Sequence, residues 1–544
     1  MAQIPFLGPT YQGRSSNIDA SRSVNFFPEK NPQDSKTQVS LIGTPGSIFA
    51  AAFPSTPLRA LYPFNGKLYG IAGGGFYSLD NGLIVSLALG TLSTSIGRVS
   101  IANNGLASSG IGGNQIIIVD GVKGYIYNVV TGSFLVIPNT GGFPLNPTHV
   151  TFLDGYFIVT NSTMSHWVSN LYDGLTWNAI ATSPVAAASD KIQAVVALHQ
   201  QLWFIKEYST EVWYDQGTPT SQGSPFLRVS GAVIDYGTPA PSSVARADNS
   251  LFWLAWQRHE DTGILVGVVE LNGYVPTIIS PPNIVYKISK LSSISDAFGW
   301  GFSMEGHTFY VLTFPSDDVT LVYDASTQMW HEWSTVVPTI STIFGIDAGI
   351  SLPIGTSSSV LSIALYNVHR HLSDCYAYFN GKHYVGDYRS NKMFELRSDY
   401  FMDDLLPIIS FRTAQHLWES GDMQNIMIHR LQIDAEVGVG NEVQALLPDQ
   451  GQLADGSILA DGSFYAGSSF QFVGTGNPQA ILSWSDDGGH TWSKDYYSRL
   501  GRTGQNKTRV IFRRLGKSRD RVFRLAIQDA VKRHIIGAHI EVTA

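Results

Sequence analysis

The densest run of chemistry-bearing residues in the chain is Ser485-Asp486-Asp487-Gly488-Gly489-His490-Thr491-Trp492. It fits the spacing Ser-x-Asp-x-Gly-x-Thr-Trp, an Asp-box carried by Ser485, Asp487, Gly489, Thr491 and Trp492. In that pattern a carboxylate caps turn amides, a glycine takes the tight backbone conformation, and the tryptophan packs beneath the hairpin. Tyr172-Asp173-Gly174-Leu175-Thr176-Trp177 is a partial echo. The chemistry expected of both is structural. Hydrolysis of an acidic sugar would also need an arginine cluster and a Tyr/Glu nucleophile pair, and no spacing in the chain assigns either.

Two other clusters are weaker. His369-Arg370-His371, with Asp374 and Cys375, would place two imidazoles on one side of a strand. A single cysteine with two histidines matches no zinc spacing, so a solvated or interface strand is the expectation. Gly73-Gly74-Gly75 lacks the lysine and the following helix of a phosphate-cradling loop. No catalytic residue, cofactor or metal is expected.

Charge gives a third candidate. Residues 499–535 carry twelve Lys and Arg against Asp520 and Asp529, a net of +10, which leaves −18 on the remainder. The candidate basic docking surface is Arg502, Lys507, Arg509, Arg513, Arg514, Lys517, Arg519 and Arg521. A protein partner, DNA and plain solvated charge all fit this segment. A joint between proteins is the reading taken forward.

The elements that must position these residues are read from composition and pattern. The chain has 544 residues, 44% hydrophobic and 14% charged, with 53 Gly, 25 Pro and 12% aromatics. That charged fraction is well below the roughly 25% usual in soluble domains. The profile is that of a large all-β protein with many turns. Lone Cys375 excludes an internal disulfide framework. Met1–Pro9 has neither a basic nor an extended apolar region, so no signal peptide is expected. No window approaches the ~18 uninterrupted apolar residues of a membrane span.

From residue 58 a unit recurs: a short strand, a turn such as Asn65-Gly66 or Asp154-Gly155, and a second strand rich in aromatics. Asn-Gly and Asp-Gly supply the positive φ of a two-residue hairpin. Seven units start near residues 58, 98, 149, 192, 243, 297 and 373, mostly at the spacing of a four-stranded propeller blade. The expected architecture is a β-propeller of about six or seven blades, some irregular, spanning 58–404. An N-terminal extended arm (1–57) precedes it. A C-terminal β-sandwich-like domain (405–544) follows, with an inserted loop at 441–477. Ser351–Ser362 reads as a further excursion. The aromatics are expected to be core packing between blades.

Several stretches, in order along nearly the whole chain, resemble the packaged-DNA stabilisation, or tail-hub, family of short-tailed bacteriophages. They are Ser23–Glu29 with Gly43-Thr44-Pro45-Gly46, Gln201–Ile205 with Ser209–Tyr214, and Asp248–Leu254 with Leu271–Tyr274. His383–Tyr388, the Asp-box and Arg513–Phe523 continue the series. The resemblance implies a structural virion protein of the tail, made in the host cytoplasm. It implies a homohexameric ring, or nozzle, below the portal and its adaptor. Such a ring extends the DNA channel, retains packaged double-stranded DNA without reading its sequence, and anchors tailspikes or tail fibres and the tail needle or plug. It carries no catalytic residues. The competing reading is a glycan-binding or glycan-cleaving propeller carried on the virion.

Overall fold

The computed structural model describes residues 2–106, 112–259, 262–336, 368–418, 425–439, 477–502 and 504–543. The expected excursion at 351–362 and the inserted loop, apart from Asn477, lie outside the described residues. Strands dominate, and the described residues hold one α-helix, Pro282–Ser289. The chain divides into two compact units: Phe49–Asp318 with Leu372–Glu395, and Met1–Ile48 with Val319–His371 and Leu396–Ala544.

The first unit is built of antiparallel sheets in chain order. Five are four-stranded meanders whose first strands are Leu58–Phe64, Ser100–Asn103, His149–Leu153, Ile192–Leu198 and Ala245–Ala247. The hairpins beginning at Phe298 and Ser373 follow. These seven starts fall at the positions expected from the repeat. The turns are the reason. Asn65 and Gly66 have φ of 49° and 67°, and Asp154 and Gly155 have 48° and 90°, the paired left-handed residues of a tight hairpin.

Alternation explains why these strands read as continuous apolar runs. Ile116 and Ile118 pack with Tyr69, Ile71 and Phe76 of the preceding sheet. Ile117 and Val119 pack with Phe157, Val159 and Trp177 of the next. Each sheet is therefore buried on both faces, and the aromatics fill the gaps between sheets. The same layering continues through Phe204 and Trp213 to Trp203 and Trp253. The series closes on itself. Ala377, Phe379 and Tyr384 of the last hairpin share a cluster with Leu61, Leu68 and Tyr77 of the first sheet. Arg98, just ahead of the second sheet, bonds Asp374 of the last hairpin at 3.0 Å and lies 3.8 Å over the ring of Phe298. This is a closed propeller.

The second unit is a sandwich of two sheets. One runs Phe26–Lys30, Val39–Gly43, His534–Thr543, Ile426–Ala435 and Val510–Ser518. The other runs Met329–Trp333, Ala20–Val24, Ser410–Trp418, Asp520–Ile527, Gln479–Ser485 and Tyr496–Arg499. Phe26, Leu41, Leu431, Phe512 and Ile540 of the first sheet meet Leu482, Phe523 and Leu525 of the second in one core. The N-terminal segment is extended, and its strands enter both sheets. Asn25, at φ 54°, is the hinge between them. Its amide donates to Ser334 O (2.7 Å) and Ile409 O (2.8 Å), and its Oδ1 accepts from Ser334 N (2.8 Å). One residue thus directs Val24 to one sheet and Phe26 to the other.

Candidate interaction surfaces and the Asp-box

The Asp-box lies between the antiparallel strands Gln479–Ser485 and Tyr496–Arg499. Ser485 Oγ donates to Asp487 Oδ1 (2.6 Å) and accepts from Gly489 N (2.7 Å). Asp487 also accepts from Thr491 N and from Thr491 Oγ1 (2.6 Å). Trp492 Nε1 donates to Gly489 O (3.1 Å), and Arg524 stacks 3.8 Å over the indole. Hydrogen bonds from Ser485 and Thr491 hold the Asp487 carboxyl well below the usual carboxylate range. Both oxygens are committed to the turn, so the group serves as a staple and has no lone pair aimed at solvent chemistry.

The partial echo is wired in the same way. Asp173 accepts from Leu175 N (3.0 Å) and Thr176 Oγ1 (2.7 Å), and Trp177 Nε1 donates to Gly174 O (2.8 Å). In both places the indole bonds the carbonyl three residues back. His371 is buried with its ring 4.9 Å from that of Trp333. Burial pushes the Cys375 thiol up, so it is held neutral. Among the described residues no group of three or more His, Cys, Asp or Glu is placed to hold a metal ion.

The basic segment separates into two populations. Arg502, Lys507, Arg509, Arg513, Arg514, Lys517 and Arg519 are all exposed. None of the seven has an ion partner among the described residues. Arg513, Arg514 and Lys517 stand on Val510–Ser518, the outermost strand of its sheet. Its pairing with Ile426–Ala435 breaks register between Arg513 and Gly516, and there Arg514 takes φ 58°. A bulge and a row of cations both discourage strand-to-strand pairing, so this edge offers side-chain charge to a partner.

Arg521 belongs to the other population. It is buried, bonds both oxygens of Asp486 (2.6 and 2.7 Å), and donates to Leu515 O. Arg533, equally buried, bonds Ser410 Oγ (2.7 Å) and Thr44 O (2.8 Å). Lys532 pairs with Glu436 at 2.8 Å. The charge count alone does not separate these structural cations from the free ones. The signal that does is strand alternation, which places Arg521 on the same face as the core residues Phe523 and Leu525.

In the propeller, sequence reasoning missed a buried ionic cluster. Lys206 Nζ lies 2.9 Å from Asp190 and 3.0 Å from Glu211, all three being 0–1% exposed. Lys206 also donates to Ala188 O (2.6 Å), and Glu211 accepts from Ala187 N (2.9 Å). Asp190 accepts from Tyr208 N and Ser209 N at 2.9 and 3.0 Å. The cluster ties the turn at Tyr208–Ser209 to the loop at 186–190, within the block around Ser209–Tyr214 that carries the resemblance. Among the described residues no helix is long and apolar enough to cross a membrane.

Comparison with known proteins follows the two units' architectures. No curated protein matches the chain. Among solved structures, similarity extends to the N-terminal domain of Nup159, at 10% identity over 69% of this chain and 99% of that one, with TM-score 0.34. The computationally designed Ika8 protein gives 12%, 69%, 99% and 0.34. YCF48 bound to D1 peptide gives 10%, 65%, 99% and 0.35. The family models carry the identification. Residues 2–342 match the β-propeller of bacteriophage P22 Gp10, and residues 457–543 match its β-sandwich. With the larger of these matches alone covering more than half its length, the chain belongs to the bacteriophage P22 Gp10 family of packaged-DNA stabilisation proteins, structural components of the phage tail hub.

Proposed function

We propose that the chain forms a homohexameric ring, the nozzle of a short-tailed phage, below the portal and its adaptor protein. The ring extends the DNA channel, retains the packaged genome and holds the tailspikes or fibres and the needle or plug. Within this reading the blades lie within 58–404, while the arm 1–57 and the segment 405–544 both build the sandwich. The chain is made in the host cytoplasm and works in the virion tail without turning over a substrate.

The observation that supports this most is the ordered pair of family matches, propeller then sandwich. Surface chemistry is compatible with it. A closed ring needs two different complementary faces on each subunit. Seven exposed cations with no ion partner among the described residues, three of them on one sheet edge, in a chain of net −8, supply one face of a charged joint. A conduit wall that bound phosphate would hold the genome back, because each neutralised phosphate adds affinity. The basic edge is therefore assigned to a protein joint, and the Asp-box to bracing the sandwich beneath it.

Cryo-electron microscopy of the particle carrying this chain is the test. Six copies around the channel below the adaptor, with the Val510–Ser518 edge against protein, is the expected image. Absence of the chain from the tail, or a basic edge lining the lumen, overturns the proposal.

A further inference from the structure

One concavity in the propeller is unused by the tail-hub reading. Four separate segments build it: Ala186–Asp190, Tyr208–Ser209, Asp235 and Gln257–Arg258. Its volume is about 780 Å³, inside the roughly 300–1,000 Å³ range of small-molecule sites. We propose that this groove binds a neutral oligosaccharide.

The floor is preorganised. The Lys206–Asp190–Glu211 cluster fixes the backbone at Ala187 and Ala188, and Asp190 fixes the turn at Tyr208 and Ser209. One wall is a hairpin locked by close approach, since Trp256 lies where a Cβ on Gly263 would be 1.5 Å from the ring. That hairpin presents Gln257 and Arg258. The Arg258 guanidinium sits 4.9 Å over the Tyr208 ring, which orients both groups. The side chains of Asp235 and Gln257 are exposed and make no hydrogen bond among the described residues.

The lining selects its ligand by exclusion. The cation of the lining, Arg258, is engaged over Tyr208, while Asp235 and a buried cluster holding two carboxylates against one ammonium oppose an anion. An apolar ligand finds three alanines and one aromatic ring. A polyol finds a carboxylate, an amide, a guanidinium and the hydroxyl of Ser189, a mixture of acceptors and donors suited to vicinal hydroxyls, beside a ring for its C–H face. Asp190 is saturated by backbone, hydroxyl and ammonium partners, which leaves no second free carboxyl for acid–base hydrolysis. The site binds and does not cleave.

The experiment is titration calorimetry of the full-length protein with maltohexaose, cellohexaose, laminarihexaose and chitohexaose, and with pentalysine and inorganic phosphate as competing probes. At least one sugar is expected to bind. Tyr208→Ala should weaken it about tenfold or more, and Asp235→Asn and Gln257→Ala severalfold, with unchanged melting temperatures. The two exposed positions keep the test valid if Tyr208→Ala fails to fold. Binding of none of the sugars, binding indifferent to all three variants, or binding of pentalysine or phosphate alone each overturns the proposal. Incorporation of the same variants into particles is unaffected, so this result is separate from the test of the tail-hub reading.

Discussion

Arg521 grips both carboxylate oxygens of Asp486 while its own side chain is 2% exposed and that of Asp486 is 47% exposed. A buried guanidinium held by a half-solvated acid is a bracket between the strand Asp520–Ile527 and the Asp-box turn. Its neighbours in sequence, Lys517 and Arg519, carry the same charge and face water.

Substitution separates the two classes. Arg521→Ala removes charge-assisted bonds to Asp486 and leaves Leu515 O without its donor, a loss of about 2–3 kcal/mol. Arg513→Ala and Lys517→Ala should stay within about 0.5 kcal/mol of wild type. Urea denaturation measures all three. Equal midpoints for Arg521→Ala and Lys517→Ala would refute the division.

Two histidines, His166 buried and His149 half-buried, should make the propeller acid-sensitive. Burial pulls His166 down to about 3 and His149 to about 4. His166 packs 4.9 Å from Phe204 and 5.2 Å from Trp213. Both folded values lie below the ordinary value near 6.5, so the unfolded chain binds the extra protons. The stability these groups support is complete above about pH 6.5 and is lost as pH falls toward 3. His166→Phe should flatten the decline of melting temperature between pH 6.5 and 4.

Asp487 titrates lower still. Its folded carboxyl is held below its unfolded value by Ser485 and Thr491, so its contribution is present above about pH 4 and disappears on further acidification. Asp487→Asn should melt earlier than wild type at pH 7, and the two curves should converge as pH drops toward 2. A constant gap across that range would show that the charge is irrelevant to the turn.

For the exposed cations the readout is assembly. Arg513→Glu with Lys517→Glu should leave the melting curve in place and reduce incorporation into particles at least tenfold. Retention of duplex DNA by the isolated protein at 0.15 M salt should be absent in wild type and variant alike, as expected of a protein joint. Tight, salt-sensitive DNA retention by wild type would reassign this edge.

Much of the propeller was legible from residues alone. The seven strand starts are announced by turn pairs such as Asn65-Gly66 and Asp154-Gly155, which few other conformations accommodate. The Asp-box and its echo are legible because the hydrogen bonds that close each turn lie within seven residues. The N-terminal strands were harder, since Asn25 finds its partners at Ser334 and Ile409. Arg98 and Asp374 are likewise separated by 276 positions. The groove escaped notice because four separate segments supply it and no local pattern joins Ala186, Tyr208, Asp235 and Gln257. Charge counting placed Arg521 on the docking surface because it carries no information on burial.

Ala20–Val24 lies between Met329–Trp333 and Ser410–Trp418, and Val39–Gly43 lies between Phe26–Lys30 and His534–Thr543. On the ribosome, then, these two strands wait for partners made several hundred residues later. At roughly 5–20 residues per second that delay is on the order of half a minute or longer, during which Phe26 and Leu41 have nowhere to hide. Translation that stops early leaves these edges open and sticky, a product for chaperones and proteases to remove. Only once Ser410–Trp418 and His534–Thr543 have been made can the strands Ala20–Val24 and Val39–Gly43 be sealed.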